Sequence, residues 1–186
     1  MKVIGVVGKN GSGKDEVLKY LRERYNVPFL SSGDIVREIA AKEGLELTRE
    51  NLKSISEKYF VKFGKGCFIR LISDRIREKG WQLAGITGIR SPDDVQILRD
   101  SFGKNFILVH VYVTDPKVRF ERMVRRGEAR DPLSYEQFLK QEKAEEELFH
   151  ISEATARADY TLSNNGSLSD LQNEIEKLLQ RENLIE

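Results

Sequence analysis

Apolar runs one strand long alternate along this chain with stretches whose apolar residues recur every three or four positions. That alternation predicts a parallel sheet covered by helices on both faces. The first run, Val3-Ile4-Gly5-Val6-Val7, holds no polar residue and reads as a buried strand over 3–7. A helical pattern follows over 14–25, then a short second strand over 28–31. Helical periodicity returns through Ile35, Val36, Ile39 and Ala40, through Leu52, Ile55, Tyr59 and Phe60, and through Phe68, Leu71, Ile72 and Ile76. The third strand is expected over 81–86. Ser91-Pro92-Asp93-Asp94 then reads as a helix start, with Ser as N-cap, Pro at the first position and an acid at the third. FILVHVYV over 106–113 is too apolar to have a solvated face and forms the fourth strand. Asp115-Pro116 caps the next helix, and Ser134-Tyr135-Glu136-Gln137 reads as a capping box opening a charged helix to about 148. A last strand over 160–163 precedes a terminal helix opened at Ser167.

The pattern is that of one α/β domain of 186 residues, long enough to bury a substantial core. No repeat, linker or low-complexity tract divides it. Its core is expected over 1–32, 81–125 and 134–186, with an all-helical insertion at 33–80 and a short charged segment at 126–133. Lys and Arg number 31 against 30 for Asp and Glu, so bulk charge gives no argument for nucleic acid or an anionic membrane as partner. The single cysteine, Cys67, excludes an internal disulfide or a multi-cysteine metal site and is expected to be a buried or half-buried helix residue. The first apolar run is too short for a signal peptide and nothing approaches a membrane span, so a cytoplasmic protein is expected. Oligomeric state stays open.

The chemistry begins at Gly8-Lys9-Asn10-Gly11-Ser12-Gly13-Lys14-Asp15, between a buried strand and a helix start. In that context a glycine-rich turn lets backbone N–H groups crowd around phosphate oxygens, aided by the positive end of the helix dipole. Gly8, Asn10, Gly11, Ser12, Gly13, Lys14 and Asp15 are therefore the candidates for binding the phosphates of ATP, with Lys14 as a mobile point charge. One position departs from G-x-x-x-x-G-K-[ST]: Asp15 stands where a hydroxyl usually meets Mg²⁺.

Two further motifs fall at the C-terminal ends of strands, the edge where open α/β sheets bind ligands. Ser32, Gly33, Asp34 and Arg37 follow the second strand and suit a phosphate monoester, with Arg37 as a bidentate partner and Ser32 or Asp34 alternatively only a cap. Arg90, in Gly88-Ile89-Arg90 after the third strand, is a second candidate for that acceptor phosphate. Arg119, Arg122, Arg125, Arg126 and Arg130 form a basic cluster at a helix end and the loop after it. Arginines on a closing lid neutralise a transferring phosphoryl group and exclude water. Arg126 and Arg130, flanking Gly127, are the first candidates, with Arg122 next. His110 and His150 read as packed or solvated residues, and no guanine-reading Asn-Lys-x-Asp motif is present.

Together these residues resemble the nucleoside monophosphate kinase branch of the P-loop kinases. Ser32-Gly33-Asp34-x-x-Arg37 is similar to the acceptor motif of adenylate kinases. Thr48-Arg49-Glu50-Asn51-Leu52, Gly88-Ile89-Arg90-Ser91, Arg119-Phe120-Glu121-Arg122, Asp131-Pro132-Leu133-Ser134, Ala158-Asp159-Tyr160 and Asn165-Gly166-Ser167 bring the resemblance closer to an archaeal group of adenylate-kinase-related, dephospho-CoA-kinase-like proteins. The resemblance implies a five-stranded P-loop kinase fold, ATP with Mg²⁺, and a nucleoside monophosphate held in the 33–80 insertion by Arg37 and Arg90. The lid at 126–133 would then bridge both nucleotides. Dephospho-CoA or a deoxynucleotide is the alternative acceptor, and a sensor that binds ATP or AMP without turnover is the reading from another class. The chain has Asp15 where the family has Ser or Thr, and Thr87 where it has an acid before Gly-Ile-Arg. Asp15 and Thr87 are thus the candidate Mg²⁺ pair, hydroxyl and carboxylate exchanged; the alternative is that Asp15 only caps its helix, Thr87 is filler and the metal site is degraded. A Gly-Lys-Asp ending also resembles phage deoxynucleotide kinases and animal phosphomevalonate kinases.

Overall fold

A computed structural model describes residues 1–128 and 131–185. Five strands form one parallel sheet in the order β2-β3-β1-β4-β5: β1 Lys2–Val7, β2 Phe29–Ser31, β3 Leu83–Thr87, β4 Phe106–Tyr112 and β5 Tyr160–Ser163. β1 lies at the centre, pairing Lys2–Gly5 with Leu83–Ile86 on one side and Val3–Val7 with Phe106–His110 on the other. That position explains its composition: Val3, Ile4, Val6 and Val7 are all buried, since both faces and both edges are covered.

The helices divide between the two faces. α1 (Lys14–Tyr25) and α9 (Leu168–Arg181) cover one, where Val17, Leu18, Leu21, Leu171, Ile175 and Leu179 pack on Ile4, Val6, Val109 and Val111. α2 (Ser32–Lys42), α3 (Arg49–Phe63), α4 (Cys67–Lys79) and α5 (Pro92–Phe102) contribute to the other, around Ile35, Ile72, Ile76, Ile86, Leu98 and Leu108. α6 (Pro116–Arg126), α7 (Tyr135–Phe149) and the short α8 (Ile151–Ala156) connect β4 to β5.

Local rules act where the sequence predicts them at most starts. Asp115 caps α6 by accepting from Lys117 N at 2.8 Å, and Ser91 with Asp94 and Ser167 with Asp170 form full capping boxes. Cys67 is buried at the start of α4. Three local expectations need correction, and one element was not expected. β3 begins at Leu83 and not at 81: Trp81 turns aside to pack on the α2–α5 layer, while the Gln82 carbonyl accepts from Lys2 N at 2.7 Å. The Ser134 box is half-made, because Gln137 Oε1 accepts from Leu133 N instead of returning to the cap. The cap of α2 is Ser31, which accepts from Gly33 N, so neither Ser32 nor Asp34 caps it. Finally, α8 follows a left-handed turn at His150 that no periodicity announces.

Candidate functional site

The loop between β1 and α1 leaves the central strand at its C-terminal end. Gly11 and Gly13 adopt φ +74° and +89°, which only glycine takes without strain. Space matters as much as torsion there. A Cβ on Gly11 would strike the Arg119 carbonyl, and one on Gly13 the amide nitrogen of Asn164. Among the described residues, the N–H groups of Gly11, Gly13, Lys14 and Asp15 find no backbone or side-chain acceptor. They are free for an anion at a helix N-terminus.

Residues far along the chain hold this loop. Asn164 Nδ2 donates to Ser12 O at 2.8 Å, a fully buried bond. Arg119, 4% exposed at its side chain, donates to Glu142 through both terminal nitrogens and to Asn10 O at 3.3 Å, and lies over the Phe138 ring. Asn10 Nδ2 donates to Glu145 Oε2 at 2.9 Å. Arg122 donates to Asn164 O at 3.0 Å, while its Nη1 is buried without a partner in the described structure. The buried Ser12 hydroxyl likewise has none.

Sequence reasoning passed over Glu142, Glu145 and Asn164 and assigned no role to Arg119. Asn164 had a signal in the neighbouring Asn165-Gly166-Ser167 match. The two acids sit in an α7 so rich in glutamate that spacing alone could not single them out.

Lys14 opens α1 as a half-buried residue. Burial pushes its ammonium below the ordinary lysine value; Asp15 and Glu145 oppose that, while Arg90 and Arg126 reinforce it. Asp15 and Thr87, one from the helix start and one from the end of β3, meet directly: Thr87 Oγ1 donates to Asp15 Oδ1 at 3.0 Å. Among the described residues no group of three or more His, Cys, Asp or Glu could hold a metal. A hydroxyl and a carboxylate side by side do fit Mg²⁺, which takes one or two protein oxygens and completes its shell with water and phosphate.

The second cluster is less finished. Ser32 is buried and donates to Gly88 O at 2.9 Å, joining the β2 and β3 exits, and Gly88 at φ +81° leaves Ser32 its room. Gly33 lies beside Arg37, which donates to Asp34 Oδ1 at 2.5 Å with both side chains partly exposed. Arg90 is exposed over the Phe149 ring at 5.3 Å. Its backbone N–H is held by buried Asp94, whose carboxyl burial pushes above its ordinary value. Arg126 is engaged bidentately by Asp131, at 3.1 and 2.5 Å, and is paired with Glu128. Arg130 lies outside the described residues. No helix among them is long and apolar enough to cross a membrane.

Known proteins resemble this chain in sequence and, among solved structures, in fold. The model of the AAA domain family matches residues 7–138. A UPF0200 protein of Pyrococcus horikoshii is 38% identical over 183 residues, covering 96% of each chain. A protein of Archaeoglobus fulgidus, named UPF0200/UPF0201, is 36% identical over 181 residues, which span 96% of this chain and 55% of that one. Among solved structures, the shikimate kinase of Acinetobacter baumannii in complex with shikimate superposes with TM-score 0.58 at 19% identity, over 97% of this chain and 92% of the other. That likeness shows the fold: an α/β P-loop kinase fold with a five-stranded parallel sheet.

Proposed function

The chain belongs to the UPF0200 family and carries an AAA domain, and from its site we propose an ATP-dependent kinase whose acceptor is a nucleoside monophosphate. The observation that carries this reading is the loop of unpaired N–H groups at the start of α1, held open by Gly11 and Gly13 at positive φ, with Lys14 at its end and the Asp15–Thr87 hydrogen bond beside it. Arg37 and Arg90 at the β2 and β3 exits, beside a loop already suited to one phosphate chain, suit a second phosphate-bearing ligand. In this reading the loop from Gly8 to Asp15 holds the β- and γ-phosphates. Ser32, Gly33, Asp34, Arg37 and Arg90 receive the acceptor at the edge of the helical insertion, and Arg122, Arg126 and Arg130 close over the transferring group.

The acceptor phosphate oxygen attacks the γ-phosphorus, the bond to the β–γ bridging oxygen breaks, and ADP leaves with that electron pair. An acceptor phosphate oxygen is already nucleophilic, so the chain's task is alignment and charge neutralisation. Asp15 and Thr87 would hold Mg²⁺, which supplies charge stabilisation at the phosphate oxygens. A coupled ADP-release assay across nucleoside monophosphates, dephospho-CoA, shikimate and gluconate tests the proposal. Turnover confined to one monophosphate supports it; tight ATP binding with no turnover on any acceptor favours a sensor and overturns it.

We also infer that the chain works beside a UPF0201 partner, because the Archaeoglobus fulgidus relative has a name that joins the two families. Covalent linkage keeps units that act together at high effective concentration.

A further inference from the structure

At the end of the sheet opposite the phosphate-binding loop, an open cavity of about 410 Å³ is lined by Tyr25, Pro28, Trp81, Gln82, Leu184 and Ile185, among others. Both apolar layers of the fold reach solvent there. Trp81 belongs to the α2–α5 layer, whereas Tyr25, Leu184 and Ile185 pack on the layer of α1 and α9. A half-buried tryptophan and tyrosine on either side of one groove are the side chains that most often anchor protein interfaces.

The path of the chain says what covers the groove. Lys2 Nζ donates to Glu182 O at 2.8 Å and Lys2 N to Gln82 O at 2.7 Å, so the first strand and the segment after the last helix converge at its rim. A second unit joined at either end of this domain is therefore delivered to this end of the sheet. In the Archaeoglobus fulgidus relative, whose name joins UPF0200 to UPF0201, 45% of the chain lies outside the match, since this domain spans 55% of it. β1 then separates the groove from the phosphate-binding loop by about 20 Å, the length of a six-residue strand. A partner seated here leaves the nucleotide cleft open.

We propose that this groove is the docking surface of a UPF0201 partner, which places an apolar or aromatic side chain between Trp81 and Tyr25. The proposal rests on the pairing inferred above. It is tested by calorimetric titration of the full chain with the purified UPF0201 protein of the same organism. Binding is expected, weakened about tenfold or more by Trp81→Ala and by Gln82→Arg. The second variant alters an exposed side chain, so it keeps the fold and brings a bulky charge into the groove. Lys14→Ala binds the partner as the unaltered chain does. Full-strength binding by Gln82→Arg, or its loss in a folded Lys14→Ala, overturns the groove and leaves the pairing. Absence of binding by the unaltered chain overturns the pairing and the groove together, and leaves the kinase reading to its own assay.

Discussion

The two halves of the cleft are built to different standards. On the P-loop side every turn is held from outside: Asn164 on Ser12, buried Arg119 with Glu142 on Asn10, Glu145 on the Asn10 side chain. On the side of the helical insertion the candidate arginine Arg37 is met, among the described residues, only by Asp34, three residues before it, with both side chains partly exposed. α3 buries only Ile55 among its large apolar residues and leaves Val61 90% exposed. A preformed anion cradle faces an insertion whose helices pack on the core through Ile35, Ile69 and Ile72 but whose candidate arginine is tied by an exposed ion pair. The donor side spends its packing before the ligand arrives, whereas the acceptor side leaves ordering to ligand binding.

The largest expected effect tests the rigid side. Arg119→Ala leaves Glu142, 16% exposed, facing a vacated guanidinium site, and breaking such a nearly buried pair costs about 3–5 kcal/mol. Urea denaturation should show that loss, and nucleotide affinity should fall with it because Asn10 loses its anchor. A variant as stable as the unaltered chain would mean that the loop does not depend on α6 and α7. On the open side, Arg37→Ala should leave stability nearly unchanged and weaken monophosphate binding by about 1.5–3 kcal/mol, the worth of a charged hydrogen bond. Unaltered affinity for every monophosphate in titration would remove Arg37 from the acceptor site.

Legibility from sequence follows the same division. The strands, the glycine-rich loop and most helix starts rest on local rules, and β1, α5, α6 and α9 begin within a residue of expectation. The parallel five-stranded sheet followed from the alternation alone. What could not be read was mostly long-range. Nothing local tells that Asn164 will meet Ser12, or that Arg119 rather than Arg125 turns inward, since both are arginines of one helix. Trp81 looked like the start of a strand because its apolar character is equally served by side-on packing. The pairing of Asp15 with Thr87 was the exception, inferred from two departures that a shared ligand would explain, and the structure brings them within a hydrogen bond.

That pair gives the next test, of intermediate size. If carboxylate and hydroxyl have exchanged places, Asp15→Ser and Thr87→Asp should each lower Mg²⁺-dependent turnover, and the double variant should recover much of it. A coupling energy of about 0.5–3 kcal/mol is the range for groups in contact. Simple additivity of the two losses would show that Asp15 and Thr87 act separately.

The smallest effect probes the surface pairs of the helical insertion. Arg75 on α4 donates to Glu38 on α2 at 2.7 Å, with side chains 36% and 45% exposed. Arg75 holds the Glu38 carboxyl below its ordinary value, with burial opposing it. A carboxylate depressed in the folded state contributes stability above its unfolded value, about 4.3, and loses that contribution as the pH falls through the lower folded value. So exposed a pair is screened by solvent and salt, and Glu38→Gln should cost at most about 1 kcal/mol at neutral pH. The difference between the two proteins should then shrink to nothing in denaturation at acidic pH, and shrink likewise at high salt. A gap that exceeds the Arg119→Ala loss, or persists below the titration of Glu38, would mean that α2 and α4 are fixed as firmly as the P-loop. The contrast between the two sides of the cleft would then fall.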